Sequence, residues 1–306
     1  MKAFYFLAIV AVVVSACEKK VIIDIPQKSP KLVVNGLLDL NQVVELTVGK
    51  SRHVLEANNT SIETYVVKNA VPVLYENNIA IDTLVYQPLN YTYKSPRGKT
   101  IAAGNTYTVK VTAPGFTAVE TTSTVPSQSE ITEVSRIKHA RVNSNGEDLD
   151  EVTIKFSDPV GEKNYYLLQI LEAPFDPRDE SWIYCVSTTD KDIEPIGDNA
   201  DPLSTDNCYD GGSLIMKDDN FNGREKQLRF YIHSSELDDR TGVNGQVQKP
   251  SVKLSRITEA HFKFIKSFNA YNMSGDNPFA EPANVFTNVV NGYGIFSART
   301  SVRKYF

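Results

Sequence analysis

Apolar and polar residues alternate in short runs over residues 31–126, with the two-residue period of half-buried β-strands. In one of these runs, Tyr107, Val109 and Val111 fall on one face, and threonines and a lysine fall on the other. Asn-Gly, Asn-Asn and Pro-Gly pairs mark turns between or within the runs. Short strands joined by tight turns predict an N-terminal β-sandwich of the immunoglobulin or fibronectin type.

Residues 127–306 show mostly the same strand pattern, so a second β-rich domain is predicted there. One short helix is predicted after Thr258, a residue type that caps helix N-termini. Phe264, Phe268 and Tyr271 recur behind it at helical spacing. The fold class is therefore mainly β with one helix, and the sequence leaves open whether the two halves form one rigid unit.

A different pattern precedes the first strand. The apolar run from Phe4 to Val14 is shorter than the roughly 20 residues of a membrane-spanning helix and is typical of a secretory signal peptide. It ends in Val-Ser-Ala-Cys, which resembles the lipobox of bacterial lipoproteins. The resemblance implies removal of residues 1–16, acylation of Cys17 and attachment to a lipid bilayer through a tether over residues 17–30. An ordinary signal peptide followed by a chance cysteine is the alternative.

The charge balance narrows the set of partners. The net charge is −5 and the pI is about 5.5, and the chain contains no basic tract. Nucleic acid is therefore not expected as a partner. The same balance offers no attraction to anionic lipid, so membrane attachment would depend on the acyl chains, and two or more of these give stable binding.

Cysteine usage agrees with export. Apart from Cys17, the chain contains only Cys185 and Cys208, an even pair in an oxidising compartment. A disulfide between them is predicted, and a loop of this size would stabilise the fold by roughly 3 kcal/mol. Two free buried thiols are the alternative. The absence of a CxxC motif gives no support to redox or zinc chemistry.

The loop from Trp182 to Asp210, which contains both cysteines, is the candidate binding region. Long loops inside compact domains are often functional. This one begins with aromatic residues and continues with many acidic ones. Its candidate partner- or ligand-binding residues are Trp182, Tyr184, Asp206 and Tyr209. Core packing of the aromatic residues and a solvated acidic surface are the alternatives.

One segment carries a weak metal signature. Asp218, Asn220 and Asn222 have the spacing of the first oxygen ligands of a calcium loop. The twelfth position, which should supply a bidentate glutamate, is Arg229. The flanking sequence reads as two strands, so a hairpin turn at Asn222-Gly223 is the favoured interpretation, and neither a metal nor a cofactor is expected.

No catalytic residues are predicted. The chain lacks HExxH, GxSxG, Walker and GxGxxG motifs. Its histidines have no histidine or cysteine at ligand spacing; they are His53, His139, His233 and His261. The expectation is a non-enzymatic protein.

The C-terminal segment carries a family resemblance. Its most specific piece is Asn277-Pro278-Phe279, followed by Asn288 and by Gly-Tyr-Gly-Ile-Phe ending at Phe296. This order resembles the Bacteroidetes lipoproteins of the domain-of-unknown-function 4249 family, over nearly the whole mature chain. Where the family more often has two adjacent glycines, this chain has Asn-Gly.

The family has no established activity to carry over residue by residue. Its members are similar in context to accessory lipoproteins of TonB-dependent outer-membrane transporters. The resemblance therefore implies an outer-membrane lipoprotein that docks on such a barrel or captures its cargo. A structural or adhesive envelope protein and a surface-polymer hydrolase are the alternatives. The periplasmic or cell-surface orientation is left open, because Cys17 is followed by Glu-Lys-Lys rather than by an acidic cluster.

Overall fold

The computed structural model describes residues 29–53, 61–176, 179–181, 183, 185–194, 209–210, 213–275 and 283–306. These residues form strands in several sheets and one α-helix, α1 (Glu259–Gly275). Two short 3₁₀ turns cover Ile62–Thr64 and Ser234–Leu237. The strands are β1 (Leu32–Asp39), β2 (Glu45–Lys50), β3 (Val71–Glu76), β4 (Ile79–Thr83), β5 (Val85–Gln87), β6 (Thr92–Lys94), β7 (Thr106–Thr112), β8 (Val119–Thr124), β9 (Ile131–Val142), β10 (Asp148–Ser157), β11 (Tyr165–Leu171), β12 (Cys185–Val186), β13 (Ile193–Glu194), β14 (Tyr209–Asp210), β15 (Ser213–Lys217), β16 (Glu225–His233), β17 (Arg240–Thr241), β18 (Val247–Gln248), β19 (Ser251–Ile257) and β20 (Tyr293–Tyr305).

One large sheet organises the structure. It has nine strands in the order β13-β15-β11-β19-β20-β1-β2-β6-β5. A four-stranded sheet, β4-β3-β7-β8, and a three-stranded sheet, β16-β10-β9, are the next largest. The pairs β12-β14 and β17-β18 complete the strand pairings of the described residues.

The last strand joins the two halves of the chain. The first half of β20 pairs in parallel with β1, from Val33 opposite Tyr293 to Asp39 opposite Arg299. The second half of β20 pairs antiparallel with β19. A parallel pair needs a crossover connection, and here the connection is almost the entire chain.

Two hydrophobic cores lie along the large sheet. The first core joins strands β1, β2 and β6 to the four-stranded sheet, with Tyr107, Val109 and Val111 fully buried. The second core joins β11, β15 and β19 to the three-stranded sheet and contains Phe156 and Phe230. The last strand contributes Phe296 to the first core, and its Val302 packs against the second.

Helix α1 packs on the opposite face of the large sheet. Phe262 of the helix lies in a small cluster with Tyr165, Leu167, Ile215 and Ile257. The layers are therefore one helix, the long sheet, and the two smaller sheets.

The mainly β fold with one helix is confirmed. The predicted cap is also confirmed, because the Thr258 hydroxyl accepts from the backbone N–H of His261 at 3.3 Å. The domain limits at residues 126 and 127 stay predictions, and the large sheet crosses them, since it contains strands from both sides.

The predicted hairpin at Asn222-Gly223 is wrong. The preceding strand β15 pairs with β11 and β13, whereas the following strand β16 pairs with β10 in another sheet. The turn does reverse the chain, and Gly223 adopts the left-handed conformation with φ +69°. Turn residues specify a reversal but not the partner of each strand. The middle residues of β15 are buried, so this strand belongs inside the large sheet.

Replacement of Gly294 by alanine tests the β1–β20 pairing. A Cβ there would lie 2.1 Å from the carbonyl oxygen of Val34, at a backbone φ of +107°. Overpacking and backbone strain each cost about 1–3 kcal/mol, so we expect Gly294→Ala to lower the free energy of unfolding by about 3 kcal/mol or more. Urea denaturation measures this loss.

Gly115→Ala is the matched control. Gly115 has a similarly positive φ of +80°, but an added Cβ would meet no atom within 4 Å. We expect a loss of about 1–2 kcal/mol from strain alone. Equal losses in the two variants would contradict the close approach of β1 and β20.

Candidate functional site

A buried polar network lies between β10 and β11. The side-chain amide of Asn164 donates to the carboxylates of Asp158 and Asp218, each at 3.1 Å. The Asp218 carboxylate also accepts from the Asn164 backbone at 2.9 Å. Tyr166 donates its hydroxyl proton to Asp158, whose second oxygen accepts from the backbone of Gly223 at 2.7 Å. The network ties the turn after β15 to the second core.

Burial changes the proton affinity of this network. Burial, followed by the nearby Asp158 carboxylate, raises the pKa of Asp218. Burial and the hydrogen bond to Asp158 raise the pKa of the Tyr166 hydroxyl far above its ordinary value. Tyr166 therefore acts as a hydrogen-bond donor throughout the neutral range.

Arg256 of β19 joins the network from the other side. Its side chain is only 3% exposed. Its Nη1 donates to Ser127, and its Nη2 donates to Asn164 and, at 2.9 Å, to Glu162. Its Nε has no hydrogen-bond partner within the described part of the chain.

A cleft of about 400 Å³ opens beside Arg256, where β8 of the first half approaches β19 and the start of α1. We call it the junction cleft. It is lined by Thr122–Thr124, Pro126, Glu162–Tyr165 and Arg256–Ala260.

The three residues with calcium-loop spacing do not converge on one point. Asp218 is buried and accepts from Asn164 and from Asn222. Asn220 instead donates to Asp192 at 2.7 Å. Across the described ranges, no group of three or more histidine, cysteine, aspartate or glutamate side chains could hold a metal ion.

A second cleft of about 350 Å³ lies between α1 and the helix-covered face of the large sheet. We call it the helix groove, and its lining is mostly apolar. It is lined by Asn35, Gly36, Leu37, Glu45, Leu46, Thr47, Thr92, His261, Phe264, Ile295 and Ser297.

His261 is a partly buried titratable group that lines this groove. Burial, followed by the nearby Arg299 charge, lowers the pKa of His261 from 6.5 to about 4, so the imidazole is neutral at pH 7. Its Nδ1 has no hydrogen-bond partner among the residues that the structure describes, and neither has the hydroxyl of Thr92. An apolar groove with a few unsatisfied polar atoms is a common form of ligand site.

An aromatic stripe extends the groove along α1. Phe264 and Phe268 stack with ring centroids 5.7 Å apart. Phe268 is 44% exposed and Tyr271 is 52% exposed. We define the aromatic stripe as Phe264, Phe268 and Tyr271. The sequence predicted their helical spacing but not their exposure.

Most of the predicted binding loop lies outside the described residues. Trp182, Tyr184 and Asp206 belong to that part, as do Cys17 and Cys208. Tyr209 is placed by its backbone in β14, opposite Val186 of β12.

Cys185 lies in β12, opposite Asp210 of β14. The pairing of Cys185 with Cys208 stays a prediction.

The sequence did not single out Arg256, Asn164 or Asp158 as candidate site residues. No motif contains them, and they meet only through tertiary packing. One signal was present, since Arg256 shares the face of Val252 and Leu254 in the alternating pattern of a predicted strand. A charged residue in such a strand is rarely buried unless it is paired.

Over the described residues, the fold is that of a layered, mainly β protein with one helix, and the junction cleft and the helix groove open at its surface. The family described as Domain of unknown function (DUF4249) matches residues 18–305. The chain therefore belongs to this family, as its sequence resemblance indicated. No helix among the described residues is long and apolar enough to cross a membrane.

Other comparisons add little. No curated protein matches the chain. Among solved structures, the β-glucuronidase of Parabacteroides merdae is similar at 9% identity and a TM-score of 0.22. The match covers 75% of this chain but only 24% of the glucuronidase, and a likeness this weak carries no argument.

The depressed pKa of His261 predicts a pH dependence of stability. The imidazole binds a proton more readily in the unfolded chain than in the folded one. The contribution of the neutral imidazole to the free energy of unfolding is therefore complete above pH 6.5 and is lost as the pH falls toward 4. The loss reaches about 3 kcal/mol at most. We expect His261→Leu to remove this part of the pH dependence, as measured by urea denaturation between pH 4 and pH 7.

His139→Asn is the control for this measurement, because the His139 side chain is 64% exposed. It should leave the slope of stability against pH nearly unchanged. If His261→Leu kept the wild-type slope as well, the partly buried neutral imidazole would be ruled out as its cause.

Proposed function

We propose that this protein is a non-enzymatic outer-membrane lipoprotein, anchored by lipid on Cys17, that serves a TonB-dependent transporter as an accessory or ligand-capture subunit. The family resemblance supplies the transporter context. The observation that supports docking is the aromatic stripe on α1. The periplasmic or cell-surface orientation is not part of the proposal.

The aromatic stripe has the chemistry of a docking surface. Aromatic residues are enriched at protein interfaces and often dominate their binding energy. Phe268 and Tyr271 are each about half exposed, and Leu37 of the adjoining groove is exposed as well. Contiguous exposed apolar surface of this kind commonly marks an interaction site.

The export part of the proposal rests on the N-terminal sequence and on the cysteines. The run that ends at Cys17 has the features of a lipoprotein signal. A Cys185–Cys208 disulfide is the second part, and the even pair of cysteines that remains beside Cys17 supports it.

Co-purification from native membrane tests the transporter proposal. Tagged lipoprotein is extracted from gently solubilised outer membrane, and mass spectrometry identifies what accompanies it. We expect a stoichiometric TonB-dependent barrel. Phe268→Ser with Tyr271→Ser should lower the recovery of the barrel about tenfold or more, because aromatic anchors of this kind each contribute about 1 kcal/mol or more.

Two controls make the result specific. Leu89→Ser replaces a leucine that is 95% exposed outside the helix groove, and it should leave barrel recovery unchanged. Cys17→Ser should release the protein from the membrane fraction. Recovery of the lipoprotein alone in several mild detergents would contradict a stable complex.

A further inference from the structure

Arg256 has an unused hydrogen-bonding position. The Nε–H and one Nη–H of a guanidinium lie side by side, and a carboxylate or phosphate can accept from both at once. In this structure Glu162 accepts from Nη2 at 2.9 Å, while Nε has no partner within the described ranges. Glu162 therefore engages Nη2 alone, and the Nε–H is left for a second acceptor oxygen.

The bond to Glu162 is easily replaced. The Glu162 side chain is 63% exposed, whereas that of Arg256 is 3% exposed. A solvated glutamate loses little when it returns to water, because ion pairs of surface groups contribute about 1 kcal/mol or less. The guanidinium, held by Ser127 and Asn164, would stay in place.

Other groups of the junction cleft also favour negative charge. Ser123 lines the cleft, and its buried hydroxyl has no partner among the described residues. The N-terminus of the 17-residue helix α1 opens into the same cleft through Thr258–Ala260, and helix N-termini attract anions. Lys163 adds a positive side chain at the rim.

Besides Glu162, one acidic side chain lines the cleft, and it already has a cationic partner. Glu259 lies in the first turn of α1 and pairs with Lys263 at 3.1 Å. Lys163 is less engaged, since its ammonium lies 3.8 Å from the nearest carboxylate oxygen of Asp219.

We propose that the junction cleft binds a small polar molecule through an oxyanion group, a carboxylate or a phosphate, and that Glu162 occupies the oxyanion position when no ligand is bound. The ligand's two oxygens take Nε and Nη2 of Arg256, with the Ser123 hydroxyl as a further donor. The cleft volume of about 400 Å³ exceeds that of a bare anion, so the rest of the molecule lies among the threonines of β8.

Titration of the purified lipoprotein with sodium acetate and with sodium phosphate tests this site, with sodium chloride at matched ionic strength as the reference. Calorimetry and the thermal midpoint report binding. We expect saturable binding of at least one probe beyond the chloride effect. A preference between the probes distinguishes a carboxylate ligand from a phosphate ligand.

Two variants should move the affinity in opposite directions. Glu162→Ala removes the competing carboxylate and should tighten binding about two- to fivefold. Ser123→Ala removes a donor and should weaken binding about two- to tenfold. Both changes leave Arg256 in place, so neither is expected to prevent folding.

Glu120→Ala is the matched control, because it removes a half-exposed glutamate of β8 that pairs with Lys110 outside the cleft. It should leave the affinity unchanged. Binding of neither probe beyond chloride, or equal effects of Glu162→Ala and Glu120→Ala, would overturn the proposal. The test is independent of the transporter, since the aromatic stripe is not among the residues that line the junction cleft.

Discussion

The parallel pairing of β1 with β20 is the constraint on which the rest of the structure depends. It joins residues about 260 positions apart, such as Asn35 and Ile295, whose backbone N–H donates to the Asn35 side chain at 3.2 Å. Closing a loop of this length costs conformational entropy. The pairing of β1 with β20 is therefore stable only because of the sheet and the core that it completes. It completes the large sheet and places Phe296 in the first core. The two cores are therefore built on one continuous sheet.

The same arrangement explains why a charged network can be buried between the halves. Arg256 lies on β19, the strand next to β20, and reaches Ser127 at the start of the second half. A buried polar network of this kind is stable only when its members are satisfied together. The Ser127 hydroxyl and the Asn164 amide oxygen accept from the guanidinium inside the fold, and the exposed Glu162 carboxylate accepts from it at the cleft. Its Nε has no partner among the residues that the structure describes. A rigid cation beside an open cleft is the physical basis of the proposed oxyanion site.

Local patterns predicted the local parts of this fold. Alternation at Tyr107, Val109 and Val111 predicted β7, and Thr258 with the aromatic spacing behind it predicted α1. These predictions were correct because the two-residue period of a strand and the N-cap of a helix are set by residues close together in the sequence. The same reasoning failed at Asn222-Gly223, because a turn does not determine which sheet each flanking strand joins.

The candidate sites were less accessible to sequence reasoning. Arg256, Asn164 and Asp158 meet through strand order and sheet packing, which no short motif encodes. The pairing of β1 with β20 is equally hard to predict, since a parallel contact between distant segments leaves no pattern in the local sequence. The aromatic residues of α1 were visible as a helical stripe, but their exposure depends on how far the helix extends beyond the sheet it covers.

Because the two halves of the chain share a sheet, we expect them to unfold as one cooperative unit. Native-state hydrogen exchange in increasing urea tests it directly, through the opening free energies of amides in β7 of the first core and in β11 of the second. We expect the most protected amides of both strands to converge on one global free energy of unfolding. Exchange of β7 through a separate, lower-energy opening while β11 stays protected would contradict it.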